Sequence, residues 1–262
     1  MTKEEDTKIE EVVVPEPPVD IPLEEAPIGV AKKEATDSWK PKTKLGLRVL
    51  NKEITNVDEI LSSGLRILEP QIVEMLIPNL ESDFAFIGQS KGKFGGGKRS
   101  IWRQTQRKTK EGNKPKFSTL VIVGDRNGHV GIGIGKAKET VPAREKALRA
   151  AKTSLITIRR GCGSWACSCR SPHSIPFKVY GRCGSVKVEL IPAPKGTGLA
   201  SEKETRKLLN LAGIKDIHSK TYGQTRTKIN LMYAYFDALK NLTKTKVKSN
   251  YNKISGLVEG NI

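Results

Sequence analysis

The sequence predicts an α+β fold: an antiparallel sheet with a helix docked on it, then a small two-layer α/β domain, preceded by a disordered acidic tail. Three observations carry the sheet, its helix and the tail; the second domain rests on the later strands and helix and on a resemblance given below. Phe117 to Val123 is an apolar, β-branched run, and after Asn127-Gly128 the run Val130-Gly131-Ile132-Gly133-Ile134 alternates bulky residues with bare backbone. Such runs flanking Asn-Gly read as a β-hairpin with a type I′ turn. Beyond Gly135 the period changes: Val141, Leu148, Ala151, Leu155 and Ile158 recur at helical spacing, with Arg144, Lys146, Arg149 and Lys152 off that stripe. Finally, residues 1–38 are rich in Glu, Pro and Val without a sustained period, a composition that cannot bury a core.

Charge divides the 262 residues in the same way. Residues 1–39 hold eleven acidic and four basic side chains, a net of −7, so with +18 overall the rest of the chain carries +25. A body that cationic calls for a polyanion, and nucleic acid is the usual one. The acidic tail either shields the body before its partner arrives or is simply solvated. No apolar run approaches the length of a membrane span, and the start MTKEEDTK lacks the basic and apolar regions of a signal peptide, so no membrane role is expected.

Trp39 to Lys44 reads as a basic connector. Asn56 to Leu61 suggests a short capped helix, and Gln71 to Leu76 a second element ending at Pro78. Between Gly88 and Lys116 lie ten Lys or Arg and one acid, Glu111, on a Gly- and Ser-rich backbone. Like charges at that density repel one another unless phosphates neutralise them. Gly92 to Lys98 has the spacing of a phosphate loop, but Arg99 stands where the magnesium-binding Ser or Thr belongs, and the residues that follow alternate as a strand rather than opening a helix. No small-molecule substrate is therefore expected there. Ile101 to Thr109 and Lys116 to Val123 should form a hairpin across Lys110-Glu111-Gly112-Asn113. The candidate RNA contacts on this segment are Lys98, Arg99, Arg103, Arg107, Lys108, Lys110, Lys114 and Lys116, joined by Asn127, His129, Lys136 and Lys138 beside the second hairpin and by Arg159 and Arg160 beyond the helix. His129 reads either as a hairpin-edge polar residue or as a base-stacking, phosphate-donating one. Thr140 can cap the helix, with Pro142 in its first turn. A sheet with a helix on one face and cations at its edges is the plan of a double-stranded-RNA-binding domain.

Cys162, Cys167, Cys169 and His173, with Cys183 farther on, form C-x4-C-x-C-x3-H and a lone Cys. Clustering within 22 residues suits a reducing compartment with a metal or free thiols rather than a disulfide framework. Zinc takes four N or S ligands in a tetrahedron. Cys162, Cys167 and Cys169 supply three, and either His173 or Cys183 supplies the fourth, giving one structural zinc ion as the candidate cofactor. The alternative is reduced thiols packed as small apolar residues. A cysteine nucleophile would need an orienter beside His173, and none is evident, so no catalytic residue is assigned.

Ser174 to Tyr180 and Ser185 to Ile191 alternate as strands, and Lys195-Gly196-Thr197-Gly198 leads to a helix from about Ser201 to Ala212, closed by Gly213. Lys195 with the amides there forms either a phosphate site or a tight structural turn. Asp216 to Thr221 suggests a strand, Asn230 to Leu242 a last helix with Leu231, Ala234, Tyr235, Ala238 and Leu242 inward, and residues 244–262 a basic tail.

VIVGDRNGHVGIGIGKAKE with its following helix, then Pro172 to Val179, Gly184-Ser185-Val186, Ile191 to Gly198, Leu211 to Asp216 and Phe236 to Leu239, in that order, resemble the universal small-subunit ribosomal protein five family. The resemblance covers roughly residues 45–242, and Arg159-Arg160-Gly161-Cys162-Gly163-Ser164-Trp165 looks like its archaeal branch, since bacterial-type members have a shorter, cysteine-free connection. It implies a double-stranded-RNA-binding-like domain over 45–161 and a second domain over 162–243 whose crossover is left-handed, against the general rule. The tail and connector occupy 1–44. It further implies a cytoplasmic constituent of the small ribosomal subunit that binds ribosomal RNA and ribosomal proteins four and eight, lies where messenger RNA enters, and supports decoding accuracy. A free-standing duplex-RNA binder is the rival, disfavoured by the ordered motifs of the second half.

Overall fold

The structure, a computed structural model, describes residues 39–90, 99–248, 251 and 255–260. The acidic tail, Lys98 and the Gly92–Gly97 segment lie outside the described residues. Three short helices come first: α1 (Lys44–Leu50), α2 (Val57–Ser62) and α3 (Pro70–Leu76). The first was not foreseen; Thr43 caps it by accepting from the Gly46 amide at 3.1 Å. Pro70 opens α3, where its missing N–H costs nothing.

The first sheet contains β1 (Glu81–Ala85), β2 (Arg103–Thr109), β3 (Gly112–Gly124), β4 (His129–Ala137) and β5 (Ile156–Thr157). Its path runs β1-β3-β4-β5, and β3 is long enough to serve two partners on one edge, β1 along its second half and β2 along its first. The β3–β4 connection differs from the expected two-residue type I′ turn. Four residues, 125–128, join the strands, and Arg126 rather than Asn127 has positive φ. Asp125 dictates this: its Oδ1 accepts from the amides of Asn127 (2.7 Å) and His129 (3.0 Å), an Asx turn that replaces the tight hairpin.

Helix α4 (Thr140–Thr153) docks on the glycine face of β4 through only part of the expected stripe: Ala151 sits against the sheet and Leu155 and Ile158 beyond the helix are buried, but the helix's first half packs differently. Val141 is 59% exposed, while Ala143, Ala147 and Ala151 are fully buried. The helix begins after Glu139 without a side-chain cap, so Thr140 is its first residue rather than its cap. Gly131, Gly133 and Gly135 explain the alanines. A Cβ on any of them would come within 3.0 Å of the α4 backbone, near Ala151, Ala147 and Ala143. Two strand residues rise ~6.8 Å and four helix residues ~6 Å, so the two repeats stay in step over three pairs. Bare strand and short helix side chains together bring the two backbones into contact.

A connection through β6 (Arg159–Arg160) leads to the second sheet, ordered β7 (Val179–Cys183), β8 (Val186–Pro192), β10 (Ile217–Tyr222), β9 (Leu199–Ala200). Only β9–β10 is parallel, with helix α5 (Lys203–Leu211) between those strands in sequence. The last long helix, α6 (Lys228–Lys244), repeats the glycine device, since a Cβ on Gly181 of β7 would strike the α6 backbone at Ala234 and Ala238. Leu120, Ile122, Val130 and Ile132 of the first sheet share one core with Leu190, Leu208, Ile217 and Tyr235 of the second half. Val121 and Val123, on the opposite face, pack with α4 and the early helices. Sheet one is thus a middle layer. The described part of 244–262 is no loose tail: β11 (Val258–Glu259) pairs with β6, and Tyr251 Oη donates to Pro176 O at 2.6 Å.

Candidate RNA interface and metal centre

Strand β2 and the first half of β3 form a two-stranded arm. All of β2 through Lys108 is exposed. Antiparallel register sorts its side chains, because residues opposite one another project to the same face. Arg103 faces Ser118, Thr105 faces Lys116 and Arg107 faces Lys114, while Lys136 of β4 stands opposite Ser118. One face therefore carries Arg103, Arg107, Lys114, Lys116 and Lys136, and the other Gln104, Gln106 and Lys108 with Asn113, Pro115 and Phe117. Cations placed directly opposite, as Arg107 and Lys114 are, destabilise a sheet unless anions neutralise them. Glu111, 3.0 Å from Lys114, offsets only one. Lys110 is exposed at the arm's turn, and Lys138 beyond β4 is exposed also.

Other candidates occupy different surroundings. Arg99 is half-buried at the neck of the arm, bridged to Ser90. Lys195 is exposed, but the neighbouring Gly196 and Gly198 amides donate to Asp216 Oδ1 at 3.0 and 2.8 Å, so that loop is a structural turn whose donors are already used. Asn127 is exposed beside it, on a cleft of about 920 Å³ shared with Lys195 and Lys215. His129 departs from the RNA-facing expectation. It is 2% exposed, with Nδ1 on Asp125 Oδ2 (2.5 Å) and Nε2 on Asp58 Oδ1 (2.8 Å), so neither nitrogen is left for a base or phosphate. Burial pushes its pKa down, but the two carboxylates outweigh burial and raise it; burial pushes Asp125 up, and His129 with two backbone amides outweighs that and lowers it. Arg160, 4% exposed, spends its guanidinium on the carbonyls of Asn127 (2.8 Å) and Gly260 (3.2 Å). Arg159 pairs with Glu259 at 2.9 Å and donates to Thr245 O at 2.5 Å. These two arginines fasten the C-terminal segment instead of presenting charge outward.

The cysteines come together as a knuckle. Gly161 bridges Ser174, and Gly163 packs so tightly on Pro176 O that no side chain fits. The Cys167 amide closes a turn on Ser164 O at 3.2 Å, and the Cys162 amide donates to Ser255 O at 2.8 Å. The ligand atoms of Cys162, Cys167, Cys169 and His173 then all lie within 4.8 Å of one another. Edges of a zinc tetrahedron are ~3.5–3.8 Å for these donors, so a small contraction fits the group to the ion. Cys183 ends β7, packed against the main core, and is not part of the cluster. His173 Nδ1 meets Asp216 Oδ2 at 2.8 Å, both side chains buried, which turns Nε2 toward Cys167 Sγ at 3.9 Å. Burial and the two neighbouring thiols push Cys162 up to about 11, whereas hydrogen bonds from Ser171 hold Cys169 near 6. Asp216 was missed as a participant; it lies 43 residues from His173, beyond any local spacing rule.

Among the described residues no helix is long and apolar enough to cross a membrane. The chain is similar to known proteins over most of its length. Residues 101–159 match the family description "Ribosomal protein S5, N-terminal domain", and residues 181–250 match "Ribosomal protein S5, C-terminal domain". "Small ribosomal subunit protein uS5" of Nanoarchaeum equitans is 49% identical over 226 residues, covering 86% of this chain and 97% of that protein. Its namesake in Methanocaldococcus jannaschii is 45% identical at the same coverage, and that of Methanobrevibacter smithii 46% identical over 80% of this chain and 92% of its own. With both domain descriptions matched in order and such identity along most of its length, the chain belongs to the uS5 family of small ribosomal subunit proteins, archaeal type.

Proposed function

We propose that this chain works by position, holding ribosomal RNA in place on the cationic face of the β2–β3 arm. It is a structural constituent of the small ribosomal subunit, not an enzyme, with ribosomal RNA and ribosomal proteins as its partners. The observation that carries the arm's role is the sorting of Arg103, Arg107, Lys114, Lys116 and Lys136 onto one exposed face. Such an array binds phosphates and carries no base specificity of its own. The first sheet with α4 on one face follows the double-stranded-RNA-binding plan, and the family resemblance gives the second half its small α/β layer with a left-handed crossover. The finer placement follows the family: near the path where messenger RNA enters, against ribosomal proteins four and eight, in support of decoding accuracy. Zinc in the Cys162–Cys167–Cys169–His173 knuckle would fix the connection between the two halves, as structural zinc sites contribute folding energy directly.

Sedimentation of native lysate at low and high salt, with zinc assayed in each fraction, tests both parts. Stoichiometric migration with small subunits that survives moderate salt, with one zinc per chain, is expected. Loss from the subunit at mild salt would overturn the built-in role, and metal-free fractions would overturn the zinc assignment.

A further inference from the structure

Where the arm leaves the body, the chain forms a second basic feature. The segment from Ile87 to Ser90, the strand start from Arg99 to Thr105, and the loop and first turn before and in α6 (Arg226 to Ile229) enclose a cleft of about 660 Å³. Its cations are Arg99, Arg103, Arg226 and Lys228, drawn from stretches more than a hundred residues apart, and no acidic residue lines it. Lys228 is paired with Glu202, whereas no carboxylate lies within ion-pair reach of the other three among the described residues.

The walls of the cleft are tied to one another. Gly88 donates to Ser100 O at 2.8 Å, the Ser100 hydroxyl donates to Trp102 O at 2.6 Å, and Ser90 bridges Arg99. Gly88 permits this closeness, since a Cβ there would overlap Ser100 and Trp102. Trp102, which lines the cleft, is held by the Arg144 guanidinium 4.1 Å over its ring, and Phe84 lies 5.5 Å from the same guanidinium. A fixed indole among unpaired arginines, with Gln89 and Gln104 on the walls, combines the parts that bind unpaired nucleotides: cations for phosphate, an aromatic surface for a base, and amides for base edges. The size decides against a duplex. A concavity of this volume holds a ligand of one or two nucleotides, while a duplex offers a wide convex cylinder that meets only an outer surface such as the arm.

We infer that this cleft is a binding site for single-stranded or flipped-out RNA nucleotides, adjoining the arm's phosphate-binding face at Arg103, with Arg226 as its cation from the second half of the chain and Trp102 as its base-facing ring. The inference rests on the RNA-binding reading of the chain and adds a site and a ligand class to it.

The test uses the full chain carrying Trp39→Phe and Trp165→Phe, which leaves Trp102 as its sole tryptophan, and an unstructured eight-nucleotide RNA. Binding should quench Trp102 fluorescence. Arg226→Glu, at an exposed loop position, should weaken the single strand at least tenfold and lower the magnitude of its salt slope by ~0.7 per lost phosphate contact, with an unchanged thermal melt and unchanged binding of a sixteen-base-pair duplex. An arm variant, Arg107→Glu with Lys116→Glu, should show the opposite preference. If Arg226→Glu binds the single strand like the parent while the arm variant loses RNA, the cleft assignment is wrong and the RNA-binding reading stands. If neither variant changes any RNA affinity, both fall. Competition by a poly-glutamate peptide as effective as the RNA would make the cleft a docking site for acidic protein and overturn the inference.

Discussion

Asp216 and His173 are joined by a buried contact of 2.8 Å between Oδ2 and Nδ1, and the same carboxylate accepts two amides from the Lys195–Gly198 loop through its other oxygen. One side chain of the second half thus orients the nitrogen donor of the cysteine knuckle. Partners of this kind fix the tautomer of a ligating histidine and raise its basicity.

For Asp216→Asn, zinc affinity is expected to fall by ~10–100-fold, read by competition with a chromophoric chelator. Cys167→Ser should abolish stoichiometric binding. Cys183→Ser should leave it unchanged, because that thiol lies in β7 outside the cluster. Equal effects from Cys183→Ser and Cys167→Ser would reject the four-ligand set.

Gly133→Ala places a methyl against the α4 backbone at Ala147 and Ala151. Overpacking where neither backbone can retreat is expected to cost about 3 kcal/mol. Gly112→Ala offers the contrast: its φ is +117° but nothing lies within 4 Å, so only backbone strain of ~1–2 kcal/mol applies. Urea unfolding of both variants checks the ranking, and equal losses would mean that the close strand–helix approach is not a principal support.

His129 should give the fold a pH dependence whose sign can be worked out. Its folded pKa lies above the ordinary 6.5, so its contribution is full below 6.5 and is lost as pH rises through the raised value. Asp125 lies below its ordinary 3.8, so its contribution is present above 3.8 and is lost as pH falls through the lowered value. Between those two limits, around pH 4–6.5, both hold. The stability gap between the parent chain and His129→Gln is expected to be widest there and to narrow toward pH 9. A gap independent of pH would show that His129 is not charged in the folded chain.

Arg107→Glu with Lys116→Glu should weaken ribosomal RNA binding and lower the magnitude of the log–log salt slope by ~0.9 per lost duplex phosphate contact. Arg160→Ala should instead lower the melting temperature and leave the salt slope alone, because that guanidinium serves internal carbonyls. A slope change from Arg160→Ala would return that residue to the RNA surface.

The longer hairpin strands, the long helices and the cysteine cluster were legible because each rests on a local pattern: period two, period near 3.6, or ligand types within a dozen residues; β1 and the two-residue strands carry no such pattern. The fate of His129 was not, since its clamp depends on Asp58, 71 positions earlier. The packing face of α4 was read only in its second half, for another reason. Alanines give little apolar signal, and their role becomes visible only when Gly131, Gly133 and Gly135 are counted as the other half of the same contact. Arg159 and Arg160 looked like outward charge because composition records that a cation is present, not that β11 returns to cover it.

The alternation of glycine and isoleucine in β4 also polices strand alignment. If β4 slid one position along β3, every side chain would change face, and Ile132 and Ile134 would stand where Gly131, Gly133 and Gly135 admit α4. The helix could not then seat. Correct alignment of the hairpin is thereby checked from outside, by an element distant from its turn: a mispaired hairpin stays unsealed and open to re-pairing, and only the right alignment is locked.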